Sequence, residues 1–143
     1  VGYQRVASLE QVCAEADAIS LHCKLMPETA GMVNDGFLAA MKRGAILVNT
    51  ARGGLLESLD AIERALRSGQ LAGAGFDALP QEPPGDHPLL RAWRKQEAWV
   101  RGRLIVTPHT AWYSESAAHE MRHKAAETVA LYLKVGTLRH RIV

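Results

Sequence analysis

Residues 45–76 have the sequence AILVNTARGGLLESLDAIERALRSGQLAGAGF, and this stretch determines the fold that the chain can adopt. The run Ala45–Asn49 is short and rich in branched apolar residues, which is typical of a buried strand, and Leu71–Phe76 predicts another. Between Ser58 and Gly69 the apolar side chains recur at helical spacing, at Leu59, Ile62, Ala65 and Leu66. A helix between two buried strands predicts parallel strands joined by a crossover.

The same alternation extends toward the N-terminus. A capping-box pattern at Ser8–Gln11 predicts a helix that runs to Ala16. Residues 18–22 are rich in branched apolar side chains and predict a strand. A second helix is predicted to begin behind Asn34-Asp35 and to end at Gly44.

The C-terminal part breaks this rhythm once. Residues 78–103 contain four of the six prolines, which predicts a long loop with a helical turn or more around residues 90–99. Leu104–Val106 predicts a fourth strand, and Glu115–Val135 predicts a long helix whose apolar stripe (Met121, Ala125, Val129 and Tyr132) is docked. The order of elements predicts an α/β fold: a parallel sheet of about four strands with helices on its faces, and a long C-terminal helix.

Composition excludes several classes of protein. Of the 143 residues, 48% are hydrophobic and 22% are charged, which fits neither a disordered chain nor a membrane protein. The net charge is +2 and the basic residues form no run, so nucleic acid is not an expected partner. Two cysteines cannot make a disulfide scaffold, which favours the cytoplasm. The chain opens with Val1 rather than Met, which favours a piece of a longer protein.

Polar and ionisable residues follow every predicted strand. They are, strand by strand, His22 and Cys23; Asn49, Thr50 and Arg52; Asp77 and Glu82; and His109. Because the carboxyl ends of parallel strands share one edge of a sheet, we expect these side chains to line one cleft. Each residue taken alone is more often an ordinary surface or loop residue.

Three of these residues together favour a catalytic site. Arg52 offers a planar fork for a carboxylate, and His109 titrates near neutral pH. An acid such as Glu82 can hold the imidazole in orientation and favour its charged form. The combination is what a site needs to hold a carboxylate and move a proton.

The motifs at these strand ends resemble those of one enzyme family. TARGG at 50–54, GFD at 75–77 with Glu82-Pro83, and TPHTAW at 107–112 resemble the successive motifs of the D-isomer-specific 2-hydroxyacid dehydrogenases. The similarity is greatest to the C-terminal-binding-protein branch, through residues 4–6, 21–23, 49–55, 111–115 and 120–122. Enzymes of the family transfer hydride between a nicotinamide cofactor, NAD or NADP, and a small 2-hydroxy or 2-oxo acid.

The resemblance implies a role for each matching residue. Arg52 would bind the substrate carboxylate, His109 would be the acid and base for the substrate oxygen, Glu82 would tune His109, and Trp112 would line the substrate pocket. The residues implied to lie along the cofactor are His22, Cys23, Thr29, Thr50, Ala51, Asp77 and His109.

The resemblance also implies which part of the family's architecture is present. Residues 1–112 correspond to the C-terminal half of a Rossmann-type NAD-binding domain, and residues 113–143 to a helix and tail that would pack on a substrate domain. The glycine-rich phosphate turn and the ribose-binding acid are not in the sequence. We therefore expect this chain alone to be inactive and to bind dinucleotide weakly, and its unpaired inner edge strand favours a homo-oligomer.

Two other patterns are weaker. Residues 73–78 fit the glycine-rich dinucleotide pattern, but prolines follow where a phosphate-binding helix would begin. His119 and His123 fit a zinc-protease pattern, but Glu127 falls in line with them along the same helix, so no metal is expected. Two alternatives to an enzyme stay open: a corepressor-like scaffold that senses dinucleotide, and an inactive truncated relative.

Overall fold

A computed structural model describes residues 2–138 of the chain, in two compact units that divide after His109. The first unit contains α1 (Leu9–Glu15), β1 (Ala18–Leu21), α2 (Asp35–Ala40), β2 (Ala45–Asn49), a 3₁₀ helix (Gly53–Leu55), α3 (Leu59–Ser68), β3 (Leu71–Phe76), α4 (Pro88–Arg94) and β4 (Leu104–Val106). The second unit contains α5 (Glu115–Val135). No helix among the described residues is long and apolar enough to cross a membrane. Residues 139–143 of the predicted tail lie outside the described residues.

The four strands form one parallel sheet in chain order, β1-β2-β3-β4. All four predicted strands and their parallel pairing are therefore confirmed. The register pairs Leu21 with Asn49, Asn49 with Phe76, and Phe76 with Val106. The last residues of the four strands thus stand in one row across the sheet.

Only one face of the sheet is buried. Along β2, Ala45, Leu47 and Asn49 are buried, whereas Ile46 between them is 45% exposed. Right-handed crossovers between strands that follow chain order all fall on the same side, so the helices cover one face. The predicted parallel sheet with flanking helices is therefore confirmed, with the helices of the first unit on one face of the sheet.

Most helix ends follow the predicted signals. Ser58 accepts a hydrogen bond from Ala61 N at the start of α3, and Gly69 ends that helix in the left-handed conformation with φ 74°. Gly44 was expected to end α2 but does not, because α2 stops at Ala40. Gly44 instead supplies the positive φ of 82° in the turn that leads into β2.

The proline-rich segment contains a helix with different bounds from those expected. The structure places α4 at Pro88–Arg94, whereas the sequence pattern indicated a helical turn around residues 90–99. The ring of His87 caps this helix by accepting a hydrogen bond from Leu89 N at 3.1 Å. A proline is well tolerated in the first turn of a helix, so a count of prolines does not distinguish a loop from a helix that begins with one.

The second unit consists mainly of α5, whose bounds are those predicted. Ser114 caps its start by accepting from Ala117 N, and Gly136 follows its end with φ 70°. None of its 21 residues is buried, and Met121, Val129 and Tyr132 of the apolar stripe are each more than half exposed. The stripe is thus not buried within the second unit, and its docking on another surface stays a prediction.

The one-sided core makes a prediction about neighbouring residues of β2. Leu47→Ala removes a side chain with 0% exposure and should lower the free energy of unfolding by about 2–5 kcal/mol. Ile46→Ala changes the open face and should cost about 1 kcal/mol or less. Urea unfolding of both variants checks this, and equal losses would contradict a core on one face only.

Candidate functional site

The register of the sheet determines which residues lie together at the candidate site. Since the last residues of the strands are aligned, the next residues, His22, Thr50, Asp77 and Thr107, stand side by side at the carboxyl edge. Two hydrogen bonds continue the ladder past the strand ends: Asp77 N donates to Asn49 O, and Thr107 N donates to Phe76 O, both at 3.0 Å. The edge therefore presents a polar residue from every strand, as ligand-binding edges of open parallel sheets do.

A cleft of about 650 Å³ opens between the loops that follow β1 and β2. Its lining residues are His22, Cys23, Lys24, Leu25, Thr50, Ala51 and Arg52. The cleft brings together five of the residues singled out from the sequence, and its volume lies in the range of ligand and cofactor sites.

Asn49 shapes the wall of this cleft. Its side chain is fully buried, yet both polar atoms have partners: Oδ1 accepts from Ala51 N at 3.1 Å, and Nδ2 donates to Arg52 O at 2.9 Å. The amide thus holds the backbone of the loop at both residues. The sequence analysis gave Asn49 no role of its own, although a polar residue ending a buried strand was a signal for one.

Arg52 is exposed and lies at the start of the 3₁₀ helix. Its Nη1 donates to the carbonyl of Ala51 at 2.7 Å. A guanidinium has five N–H donors, so this bond leaves capacity for a bidentate carboxylate.

Gly53 brings the loop after β2 against the loop after β3. A Cβ at this position would lie 1.8 Å from the carbonyl oxygen of Leu79, far inside van der Waals contact. Only glycine permits this approach. The loop that carries Arg52 is therefore fitted against the loop that carries Glu82.

Glu82, on the loop after β3, forms a hydrogen-bonded pair with His109, which follows β4. His109 Nδ1 lies 2.7 Å from Glu82 Oε2, and the other carboxylate oxygen accepts from Leu79 N at 2.9 Å. The bond with His109, and to a smaller extent that with Leu79 N, holds the pKa of Glu82 below its ordinary value. Glu82 is therefore a carboxylate at neutral pH and accepts a hydrogen, which assigns the hydrogen of this bond to Nδ1.

The backbone of His109 is held in an unusual conformation by its neighbours. His109 has φ 56°, which non-glycine residues seldom adopt, and its N donates to Thr107 O at 3.0 Å. The hydroxyl of Thr107 donates to Asp77 Oδ1 at 2.5 Å, and Asp77 is only 4% exposed. Thr107 therefore ties the end of β3 to the turn that aims His109.

A second cavity of about 390 Å³ adjoins the pair. Glu82, Thr107 and His109 line it together with apolar residues, among them Pro83 and Trp93. The predicted residues Thr50, Arg52, Glu82 and His109 thus share one edge of the sheet but line two cavities rather than one cleft.

Two predicted residues of the first unit, Thr29 and Asp77, line neither cavity. Thr29 does not line the cleft, since its hydroxyl donates to Lys24 O at 2.7 Å and accepts from Met26 N at 2.9 Å within its own loop. Trp112 belongs to the second unit, where its ring makes an edge contact with Tyr113 at a centroid distance of 5.7 Å. The cofactor role of Thr29 and the substrate role of Trp112 stay predictions.

The rings of His119 and His123 stack on α5, with centroids 6.1 Å apart. Within residues 2–138, no group of three or more His, Cys, Asp or Glu side chains is placed to hold a metal ion.

Comparison with known proteins agrees with this arrangement. Residues 1–111 match the model of the D-isomer specific 2-hydroxyacid dehydrogenase, NAD binding domain. A glycerate dehydrogenase from Methylorubrum extorquens is 40% identical over 128 residues, which cover 90% of this chain and 38% of that enzyme.

Solved structures show the same fold. A protein from Thermus thermophilus superimposes with a TM-score of 0.80 at 39% identity, covering 94% of this chain and 40% of that one. The D-lactate dehydrogenase from Aquifex aeolicus, solved with NAD and lactic acid, gives a TM-score of 0.76 at 29% identity, covering 90% of this chain and 40% of that one. The chain spans 38% of the length of each of three curated relatives.

The contact at Gly53 predicts a large effect of one methyl group. Gly53→Ala should lower the free energy of unfolding by at least about 2 kcal/mol, because the loops after β2 and β3 must separate. Gly75→Ala is the matched control: its Cβ would meet only Val48 Cγ2, at 3.9 Å, and should change stability by about 1 kcal/mol or less. Urea unfolding measures both, and a neutral Gly53→Ala would contradict the close contact.

The lowered pKa of Glu82 predicts how the stability of the pair depends on pH. Its contribution is fully present above the ordinary value of 4.5 and is lost as the pH falls through the lower value of the folded state. The stability difference between wild type and Glu82→Gln should therefore shrink on acidification, as measured by urea unfolding across that range. In a protein that already carries His109→Ala, the stability difference caused by Glu82→Gln should depend less on pH. If that difference depended on pH equally with and without His109, the pairing would be contradicted.

Proposed function

Since the chain belongs to the D-isomer specific 2-hydroxyacid dehydrogenase family, we propose that the whole protein is an NAD-dependent oxidoreductase that interconverts a small 2-hydroxy acid and its 2-oxo acid. The observation that carries this proposal is the pair of His109 and Glu82 at 2.7 Å, on the same sheet edge as Arg52. A proton donor and a carboxylate ligand are the two protein groups that this reaction requires.

Arg52 is the proposed ligand of the substrate carboxylate. The guanidinium is permanently charged, and its fork matches the two oxygens of a carboxylate. Asn49 and Gly53 fix the backbone on either side of Arg52, so the charge is held at the mouth of the cleft.

The residues of the cleft fit the nicotinamide end of the cofactor. Thr50 and Ala51 have small side chains at its wall, which permits close approach of a flat ring, and His22 and Cys23 lie across from them. Asp77, buried beside Thr107, is the proposed neighbour of the nicotinamide amide. When bound, the reduced nicotinamide supplies a hydride to C2 of the 2-oxo acid.

His109 completes the reaction with a proton. As C2 receives the hydride, the carbonyl oxygen becomes an alkoxide, and Nε2 of His109 donates the proton that makes it a hydroxyl. The imidazole is then neutral, with its Nδ1 hydrogen still bonded to Glu82. In the oxidative direction the same nitrogen accepts the proton. The carboxylate of Glu82 accepts the Nδ1 hydrogen throughout and so holds the ring in one orientation.

The proposal extends to assembly and location. The open sheet face exposes Ile46 and Ile105, and α5 exposes its apolar stripe, which are surfaces that proteins commonly cover on association. A homo-oligomer is therefore proposed for the whole protein. Both Cys13 and Cys23 are free thiols, which supports a reducing, cytoplasmic setting.

Three substitutions in the whole protein test the assigned roles by NADH oxidation with 2-oxo acids. His109→Ala should abolish turnover at every pH, because the proton donor is lost. Arg52→Lys should raise KM for the 2-oxo acid by about tenfold or more, because an ammonium cannot reproduce the fork. Glu82→Gln should lower kcat by about tenfold or more, because a neutral amide accepts the Nδ1 hydrogen less strongly than a carboxylate and holds the imidazole less firmly.

An unchanged kcat in Glu82→Gln would contradict the role given to that carboxylate. Binding of NADH without turnover of any 2-oxo acid by the wild-type protein would favour the dinucleotide-sensing scaffold instead. Lys42→Gln is the control, since Lys42 pairs with Asp17 before β1 and should leave all kinetic constants unchanged.

A further inference from the structure

Among the last residues of the four described strands, Asn49 is the one with a buried polar side chain. Its hydrogen-bond partners lie in the loop that follows it. Its exposure is 0%, and it lies on the face that otherwise buries Ala45 and Leu47 along the same strand. A buried amide is costly unless each polar atom has a partner. Both polar atoms of Asn49 have a partner, and the partners are the backbone N of Ala51 and the backbone carbonyl of Arg52.

The chemistry of the amide explains why another residue would not serve. Oδ1 accepts from Ala51 N while Nδ2 donates to Arg52 O, so one side chain supplies an acceptor and a donor at once. An ionised aspartate of the same shape only accepts, and leucine does neither. The loop conformation therefore depends on an amide at this position.

The loop so held is the one that carries Arg52 into the cleft. Arg52 has φ −145° and ψ 136°, and Gly53 next to it is pressed against Leu79. Asn49 holds Ala51 N before Arg52 and the Arg52 carbonyl after it, and Gly53 packs against Leu79, so the backbone of Arg52 has little freedom. The exposed guanidinium therefore has fewer accessible positions than it would have on a mobile loop.

We propose that Asn49 is a positioning residue for Arg52, which sets the affinity for the carboxylate of the 2-oxo acid without touching it. The expected effect on KM rests on the proposed function. The expected effect on the loop conformation rests on the hydrogen bonds of Asn49 alone. The two parts are tested by separate measurements.

The kinetic test is a double-mutant cycle in the whole protein. Asn49→Ala should raise KM for the 2-oxo acid about tenfold, with a smaller change in kcat, because two hydrogen bonds that hold Arg52 are lost. In an Arg52→Ala background the same substitution should change kcat/KM by less than about twofold, because the group it positions is gone. Ile62→Val, a buried change in α3, controls for lost stability and should leave KM unchanged.

The structural test is amide hydrogen exchange on the 143-residue chain. Asn49→Ala should speed exchange of the Ala51 amide about tenfold or more relative to Ala74, whose N donates within the sheet to Arg103 O at 2.8 Å. Equal changes at both amides would mean general loosening and would overturn the proposal. So would a full effect of Asn49→Ala on KM in the Arg52→Ala background. If wild type reduces no 2-oxo acid, the proposed function fails and exchange alone decides the role of Asn49.

Discussion

The register of the parallel ladder is the constraint on which the site depends. Leu21, Asn49, Phe76 and Val106 are paired across neighbouring strands, so the residues that follow them emerge side by side. Because side chains alternate between faces, a slip of one residue would turn Asn49 out of the core and bring Val48 into it. The burial of alternate apolar residues thus fixes the register, and the register brings the chemically active loops together.

Close packing between loops adds a second level of order. Gly53 contacts the backbone of Leu79, and Leu79 N in turn donates to Glu82, which holds His109. A continuous path of contacts therefore links Arg52, the proposed carboxylate ligand, to His109, the proposed proton donor. The path runs mostly through backbone groups, whose positions vary less than those of long side chains.

Local signals in the sequence predicted much of this arrangement. The runs 45–49 and 71–76 became strands with the expected bounds, and Ser58 and Gly69 cap α3 as expected, because these features depend on neighbouring residues. The single buried face could not be predicted from such signals. It follows from the order of strands in space, and apolar runs look alike whether one face or both are covered.

The details of the site show the same division. The pair of Glu82 and His109 was predicted by residue type and by resemblance, and the structure joins them over 27 positions of sequence. The bonds of Asn49 to its own loop were not predicted, because an asparagine after an apolar run is equally typical of a turn. The apolar stripe of α5 was predicted as a docking surface, and helical spacing indicates such a face but not what covers it.

Transfer of a labelled hydride tests the central claim most directly. The whole protein is incubated with a 2-oxo acid and with NADH that carries deuterium on the transferred position, and the product is resolved by chiral chromatography and mass spectrometry. The account predicts a 2-hydroxy acid of the D configuration with one deuterium at C2. An L product, or a D product without deuterium at C2, would contradict it, as would the absence of any hydroxy acid.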